Sequence, residues 1–155
     1  MKFNVNQQDL QIALNYCQGV IEKRSTLPIL SNVLLEVSNS KLKITATDLD
    51  LIFINEIPNV EIIEEGKTTT SSSIMYDIVR KFSSGKKINF SSIDENKLHL
   101  ESEKSIFNLN CLSAAEFPLT NENFNQNEFF IKSKQLLKLL NKCKFSVSND
   151  ETRHY

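Results

Sequence analysis

FNVNQQDLQIALNYC fills residues 3–17, and FFIKSKQLLKLLNKC fills residues 129–143. Subtracting 126 lays the second stretch on the first. Phe129 falls on Phe3, Ile131 on Val5 and Leu136 on Leu10. Leu139 falls on Ala13, Leu140 on Leu14, Asn141 on Asn15 and Cys143 on Cys17. In the first copy, Phe3 and Val5 alternate as one face of a short strand. Asn6 is placed to cap a helix, whose apolar side is Leu10, Ala13, Leu14 and Cys17 at i, i+3, i+4, i+7 spacing. Two unrelated strand–helix pairs could share this periodicity. A match carried in one frame across the strand-to-helix transition favours an internal repeat of roughly 120-odd residues. On that reading residues 1–122 are a complete first domain and 123–128 a linker. Residues 129–155 are then the start of a second domain, truncated after its first strand and helix.

Between the two copies the pattern is mostly β. Runs at 32–37, 41–47, 49–57, 60–63 and 68–72 are rich in β-branched and alternating apolar residues. Ser38-Asn-Ser40, Pro58 and Glu64-Glu-Gly66 punctuate them. A second helix fits 73–82, with Ile74 and Ile78 inward and Met75 and Phe82 as further candidates. Strands at 86–91, 97–101 and 105–111 follow, then an irregular connector at 113–128 around Pro118. The expected class is α+β, with two helices on one side of curved antiparallel sheets. Phe3, Val5, Leu10, Leu14, Leu30, Leu34, Ile44, Ile78 and Leu98 are expected in its core.

Composition narrows the function by exclusion. The 155 residues are 40% apolar and 24% charged, within the globular range. No apolar run approaches the roughly 18 residues needed to span a bilayer, and MKFNVNQQDL turns polar too soon for a signal peptide. Cys17, Cys111 and Cys143 share no metal-ligand spacing and read as reduced core cysteines of a cytoplasmic protein. Eighteen Lys+Arg against nineteen Asp+Glu leave a net charge of −1. Any nucleic-acid binding must therefore come from local segregation of charge.

Such segregation occurs at 132–144. This span holds five lysines and no Asp or Glu. Lys134, Lys138 and Lys142 repeat at i, i+4, i+8 on the face opposite the leucines. A solvated helix face and a phosphate-binding rod both fit this stripe. Arg80-Lys81 admits the same two readings, since cations also favour a helix C-terminus. Lys23 and Arg24 stand at a loop tip just before the first long strand. Arg153, His154 and Tyr155 put an arginine beside two flat rings, a set that can stack on bases and contact phosphate.

Nothing in the sequence assembles a catalytic constellation. His99 and His154 are isolated, and His99 alternates with Leu98 and Leu100 as a surface position of a strand. Asp48 and Asp50 could suggest a metal pair, but no third ligand accompanies them and a turn role is favoured. Three glycines in the whole chain exclude a Gly-rich phosphate loop.

Five motifs occur in order: MKFNV at 1–5, RSTLPILSN at 24–32, ITATDLDL at 44–51, LSAAEFP at 112–118 and FSVSNDETRHY at 145–155. Together they resemble the bacterial sliding clamp, the beta subunit of DNA polymerase III, over the full length of the chain. The resemblance implies a DNA clamp fold, with three similar domains per subunit and two subunits closing head to tail into a ring around duplex DNA. It implies a non-catalytic processivity factor without cofactor or metal. Polymerase subunits and the clamp loader would be its partners, through regions largely missing here. Arg24, with Lys23, would touch DNA from the loop before the Leu27-Pro-Ile-Leu30 stretch. Arg153, His154 and Tyr155 would do so from the second domain, with Arg80, Lys134, Lys138 and Lys142 as further contacts. Two positions depart from the family: Glu151, often glutamine, and Ser73, often basic. Ring closure would use the edge strand Ser105–Leu109, with Lys104, Ile106, Phe107 and Leu109 at the joint. The alternative is a stand-alone interaction module that pairs through the same edge. A metal-dependent enzyme built on Asp48 and Asp50 is a third, disfavoured reading.

Overall fold

The computed structural model describes residues 1–21, 27–94, 96–118 and 130–147. Two compact units divide the chain, Met1–Leu119 and Thr120–Tyr155. In the first, β1 (Lys2–Asn6) runs directly into α1 (Gln7–Cys17). Asn6 stays extended, and its Oδ1 accepts the Gln8 N–H at 2.9 Å, satisfying one of the free donors of the first helical turn. Leu10, Ala13, Leu14 and Cys17 are all buried, as their spacing predicts.

A run of antiparallel strands follows: β2 (Asn32–Ser38), β3 (Lys41–Thr47), β4 (Ile52–Ile57), β5 (Glu61–Glu64) and β6 (Gly66–Ser71). Helix α2 (Ser72–Val79) separates them from β7 (Lys87–Asp94), β8 (Lys97–Ser102) and β9 (Ser105–Leu112). The strand order is β4-β3-β2-β6-β9-β8-β7-β1-β5, with every pairing antiparallel. This is the α+β architecture expected. Two half-sheets meet at a narrow seam, where β6 and β9 pair only at Thr69–Leu112 and Thr70–Cys111. Side chains reinforce it: Thr69 Oγ1 donates to the Leu112 carbonyl at 2.8 Å, and Thr70 Oγ1 to the Asn110 carbonyl at 3.0 Å.

The helices cover one face of this sheet. α1 packs on β1, β3 and β4, and α2 on β2 and β6. Gln7, itself buried, donates through Nε2 to the Val79 carbonyl at 2.9 Å. Gln18 donates to Ser72 Oγ at 2.8 Å. The start of α1 thus lies by the end of α2 and the end of α1 by its start, so the helices are antiparallel. Val33, Leu35 and Val37 of β2 join the core beneath them. Leu34 alternates to the opposite face. It stands in a row with Thr45 and Thr69, both also buried. Phe3 and Phe90 face each other across β1 and β7 and stack with centroids 4.8 Å apart, the kind of aromatic pair that adds to simple burial.

Several expectations need correction. The inward face of α2 is Ser72, Met75 and Val79. Ile74 is 54% exposed and Ile78 only partly buried. The helix starts one residue earlier than expected, and the face that meets β2 and β6 is set by that junction. The β4 run begins at Ile52 rather than Leu49. Asp48 Oδ1 accepts the N–H groups of Asp50 (3.1 Å) and Leu51 (2.7 Å), and Leu49 sits at φ +83°. This is an Asx turn, where a short side chain replaces a ladder acceptor. Of the three cysteines, Cys17 and Cys111 are buried, but Cys143 is exposed. Burial pushes the Cys17 thiol up to about 12 and raises that of Cys111 as well.

In the second unit, α3 spans Ser133–Cys143. Adding 126 to the bounds of α1 gives 133 and 143, so the two helices coincide end to end. None of the residues of α3 is buried. Residues 130–132 are not strand. Among the described residues, no helix is long and apolar enough to cross a membrane.

Two measurements follow from the packing. Phe90→Ala should lower unfolding stability by about 3–5 kcal/mol, whereas Ile74→Ala should stay within about 0.5 kcal/mol; urea titration separates them. In the folded chain, a thiol reagent at mildly alkaline pH should modify Cys143 quickly. Cys17 and Cys111 should react only after denaturation, because a raised pKa leaves little thiolate.

Candidate subunit and nucleic-acid interfaces

Strand β9 is paired unevenly. Against β8 it is registered from Ser105 to Asn110, but β6 meets it only at Cys111 and Leu112. Among the described residues, 105–109 therefore have no strand partner on their second edge, the feature that lets a strand be extended by another chain. The tight turn at Glu103-Lys104 opens this segment, with Glu103 at φ +55°. Lys104 is exposed there, while Glu103 is held by Lys86 at 3.5 Å.

The side chains along the segment divide by strand parity. Leu109 and Cys111 point into the core, and Leu109 is only 6% exposed. In this chain Leu109 thus offers the edge its backbone, with its side chain packed inward. Phe107 shares that parity but lies further out, 38% exposed, edge-on to Phe82 at 5.8 Å. Ile106 points to the other face and is 60% exposed. His99 pairs with Asn108 across the β8–β9 ladder, its Nδ1 2.8 Å from Asn108 Oδ1. It is half-buried, and its ring is occupied by that contact.

The cationic candidates are placed less uniformly. Arg80 caps the C-terminus of α2, ion-paired to Asp77 at 3.0 Å and lying over the Tyr76 ring at 5.8 Å. That is the helix-end role its position allowed, and it leaves the guanidinium partly engaged. Lys134, Lys138 and Lys142 lie along α3, exposed, with no ion pair among the described residues. Lys23, Arg24, Arg153, His154 and Tyr155 lie outside the described residues. Ser73, where a basic residue is usual in the resemblance, donates to Gln18 Oε1 at 3.3 Å in a groove between the helices, lined also by Asn15 and Tyr76.

Asp48 is consumed by its turn, and no group of three or more His, Cys, Asp or Glu side chains could hold a metal among the described residues. Sequence reading missed a second open edge. Among the described residues β4 pairs with β3 alone, and Tyr16 of α1, itself exposed, tilts onto its Phe53 at 6.0 Å. The uncharged run Ile52-Phe53-Ile54 was the available signal.

The parity of β9 has a measurable consequence. Leu109→Ala should cost about 2–5 kcal/mol as a core truncation. Phe107→Ala, at a half-open site, should cost about 1 kcal/mol. Equal costs in denaturant titrations would place both residues in the same environment and contradict this geometry.

Comparison with known proteins adds the following. The family model described as DNA polymerase III beta subunit, N-terminal domain, matches residues 1–121. The beta sliding clamp of Caulobacter vibrioides (strain NA1000) is 35% identical over 156 residues, and that of Escherichia coli (strain K12) 31% over 155. In each case all of this chain is covered but only 42% of the relative, so the chain spans less than half of their length. Among solved structures, Caulobacter crescentus pol III beta superposes with a TM-score of 0.93 at 35% identity, covering 100% of this chain and 41% of that one. A match over most of its length settles where the chain belongs: it is a member of the DNA polymerase III beta subunit family and carries that family's N-terminal domain at residues 1–121.

Proposed function

We propose that the chain is the opening portion of a sliding clamp, a non-catalytic processivity factor that encircles duplex DNA and tethers the replicative polymerase. The observation that carries this reading is the unpaired Ser105–Leu109 edge on a domain of this family. A ring needs such an edge at each joint, because sheet pairing extended across subunits holds the ring closed without gripping DNA. In this reading Lys104, Ile106 and Phe107 line the joint of a head-to-tail homodimer, and Leu109 contributes backbone. Polymerase subunits and the clamp loader act on the complete protein in the cytoplasm. Residues 123–128 link the first domain to the second.

Contact with DNA would be made by Arg24 and Lys23, by the α3 stripe Lys134, Lys138 and Lys142, and by Arg153, His154 and Tyr155. Arg80, held by Asp77, would contribute less. Such contacts go to phosphates, so they position a duplex without reading its sequence. A stand-alone module pairing through the β9 edge is the competing reading. It requires no DNA binding at all.

Fluorescence anisotropy with short duplexes of unrelated sequence tests the reading. Weak binding of equal strength to each sequence is expected, falling steeply between about 50 and 200 mM salt. Arg24→Ala should weaken it. Replacing Lys134, Lys138 and Lys142 together by alanine should flatten the log–log salt slope by about 0.9 per lost phosphate contact. No binding at low salt would leave the competing reading in place.

A further inference from the structure

The frame that lays α3 on α1 also matches their polar sides. Subtracting 126 from Lys132, Lys134, Lys138, Lys142 and Lys144 gives Asn6, Gln8, Ile12, Tyr16 and Gln18. Five cations along one helix thus stand where the other has five uncharged side chains. The exchange spares the apolar side, since Leu10, Leu14 and Cys17 recur unchanged as Leu136, Leu140 and Cys143. Positions at i, i+4, i+8 follow one face of a helix. Gln8, Ile12 and Tyr16 lie exposed along α1, as Lys134, Lys138 and Lys142 do along α3.

The neighbouring helix does not restore the charge. Neither α1 nor α2 contains a Lys or Arg. Arg80 and Lys81 follow at the C-terminus of α2, and Arg80 is held by Asp77 at 3.0 Å. Ser73, at a position that is often basic in the resemblance, spends its hydroxyl on Gln18 Oε1 at 3.3 Å. Gln18 is itself the counterpart of Lys144. Asp9, next to Gln8 on the exposed side of α1, has no ion pair among the described residues. The exposed side of α1 therefore offers phosphate no attraction, whereas α3 offers a row of cations.

We propose that Gln8, Ile12 and Tyr16 form an uncharged track for duplex DNA along α1, and that Ile12 at its centre sets how loosely the first domain holds the duplex. The track rests on the clamp reading and assigns it residues that carry no charge. A phosphate met by a lysine releases counterions and is held. A phosphate met by isoleucine at the same place in the frame releases none and passes. The two helices thus divide the work: α3 holds the backbone and α1 lets it slide. The ligand is the sugar–phosphate backbone of a duplex, whose sequence is not read.

Grafting charge onto α1 tests the track, by fluorescence anisotropy of the 155-residue chain on a short duplex over a salt series. Ile12→Lys should steepen the log–log salt slope by about 0.9 and tighten binding about tenfold at roughly 50 mM salt. Gln8→Lys, one turn earlier on the same stripe, should do likewise. Ile12→Ala should bind as the wild type does. Ile63→Lys is the control for net charge. Ile63 is 58% exposed on β5, and because its neighbour Ile62 packs on the core, Ile63 points to the opposite face of the sheet. Its lysine variant should keep the wild-type slope. Unchanged far-UV circular dichroism and melting check that each variant folds. Suppose instead that Ile12→Lys and Gln8→Lys keep the wild-type slope while alanine at Lys134, Lys138 and Lys142 still flattens it. That result overturns the track and leaves the clamp reading standing. Equal gains from Ile12→Lys and Ile63→Lys assign the effect to net charge and overturn the track as well. No duplex binding at low salt by the wild type or any variant overturns the clamp reading and the track together.

Discussion

Two residue pairs join the halves of this sheet, and much else depends on how short that joint is. Thr69 and Thr70 meet Leu112 and Cys111, and their hydroxyls reach the Leu112 and Asn110 carbonyls. Two ladder pairs alone are a weak hinge. The hydroxyl bonds lie in or beside the core and lock the seam where a water-exposed joint would slip. A longer seam would pair all of β9 with β6 and consume the free edge. A shorter one would part the half-sheets and open the core beneath the helices. The interaction surface is thus what remains when the joint is just long enough to hold.

Local chemistry made the first seventeen residues legible. Asn6, the alternation of Phe3 and Val5, and the Leu10–Cys17 stripe each act within a few residues of chain, so reading them needs no knowledge of partners. The α2 face was misread because Ile74–Ile78 and Met75–Val79 are both apolar pairs at i, i+4. On an eight-residue helix, only the neighbouring strands decide which pair turns inward. The β9 edge could be named from the resemblance, but its parity could not. Phe107, Leu109 and Cys111 lie on one face, and the place where that face leaves the core is set by β6, some forty residues earlier in the chain. The open β4 edge was illegible for the same reason, since strand order is a long-range property.

Helices α1 and α3, which the sequence lays on one another in one frame, show how little of burial belongs to a helix itself. α1 and α3 have the same length and matching apolar positions, yet Cys17 is buried and Cys143 is exposed. The difference is the sheet below. β1 is held on both sides by β5 and β7.

The glutamines at the two ends of α1, Gln7 in its first turn and Gln18 at its C-cap, carry a dynamic consequence. Gln7 binds the last carbonyl of α2, and Gln18 binds the first residue of α2. Neither helix can roll about its axis or fray at those ends without breaking a bond to the other. Helices this short are marginal alone. Joined at both ends, they should open and close as a single foldon, with amide hydrogens that exchange together rather than helix by helix.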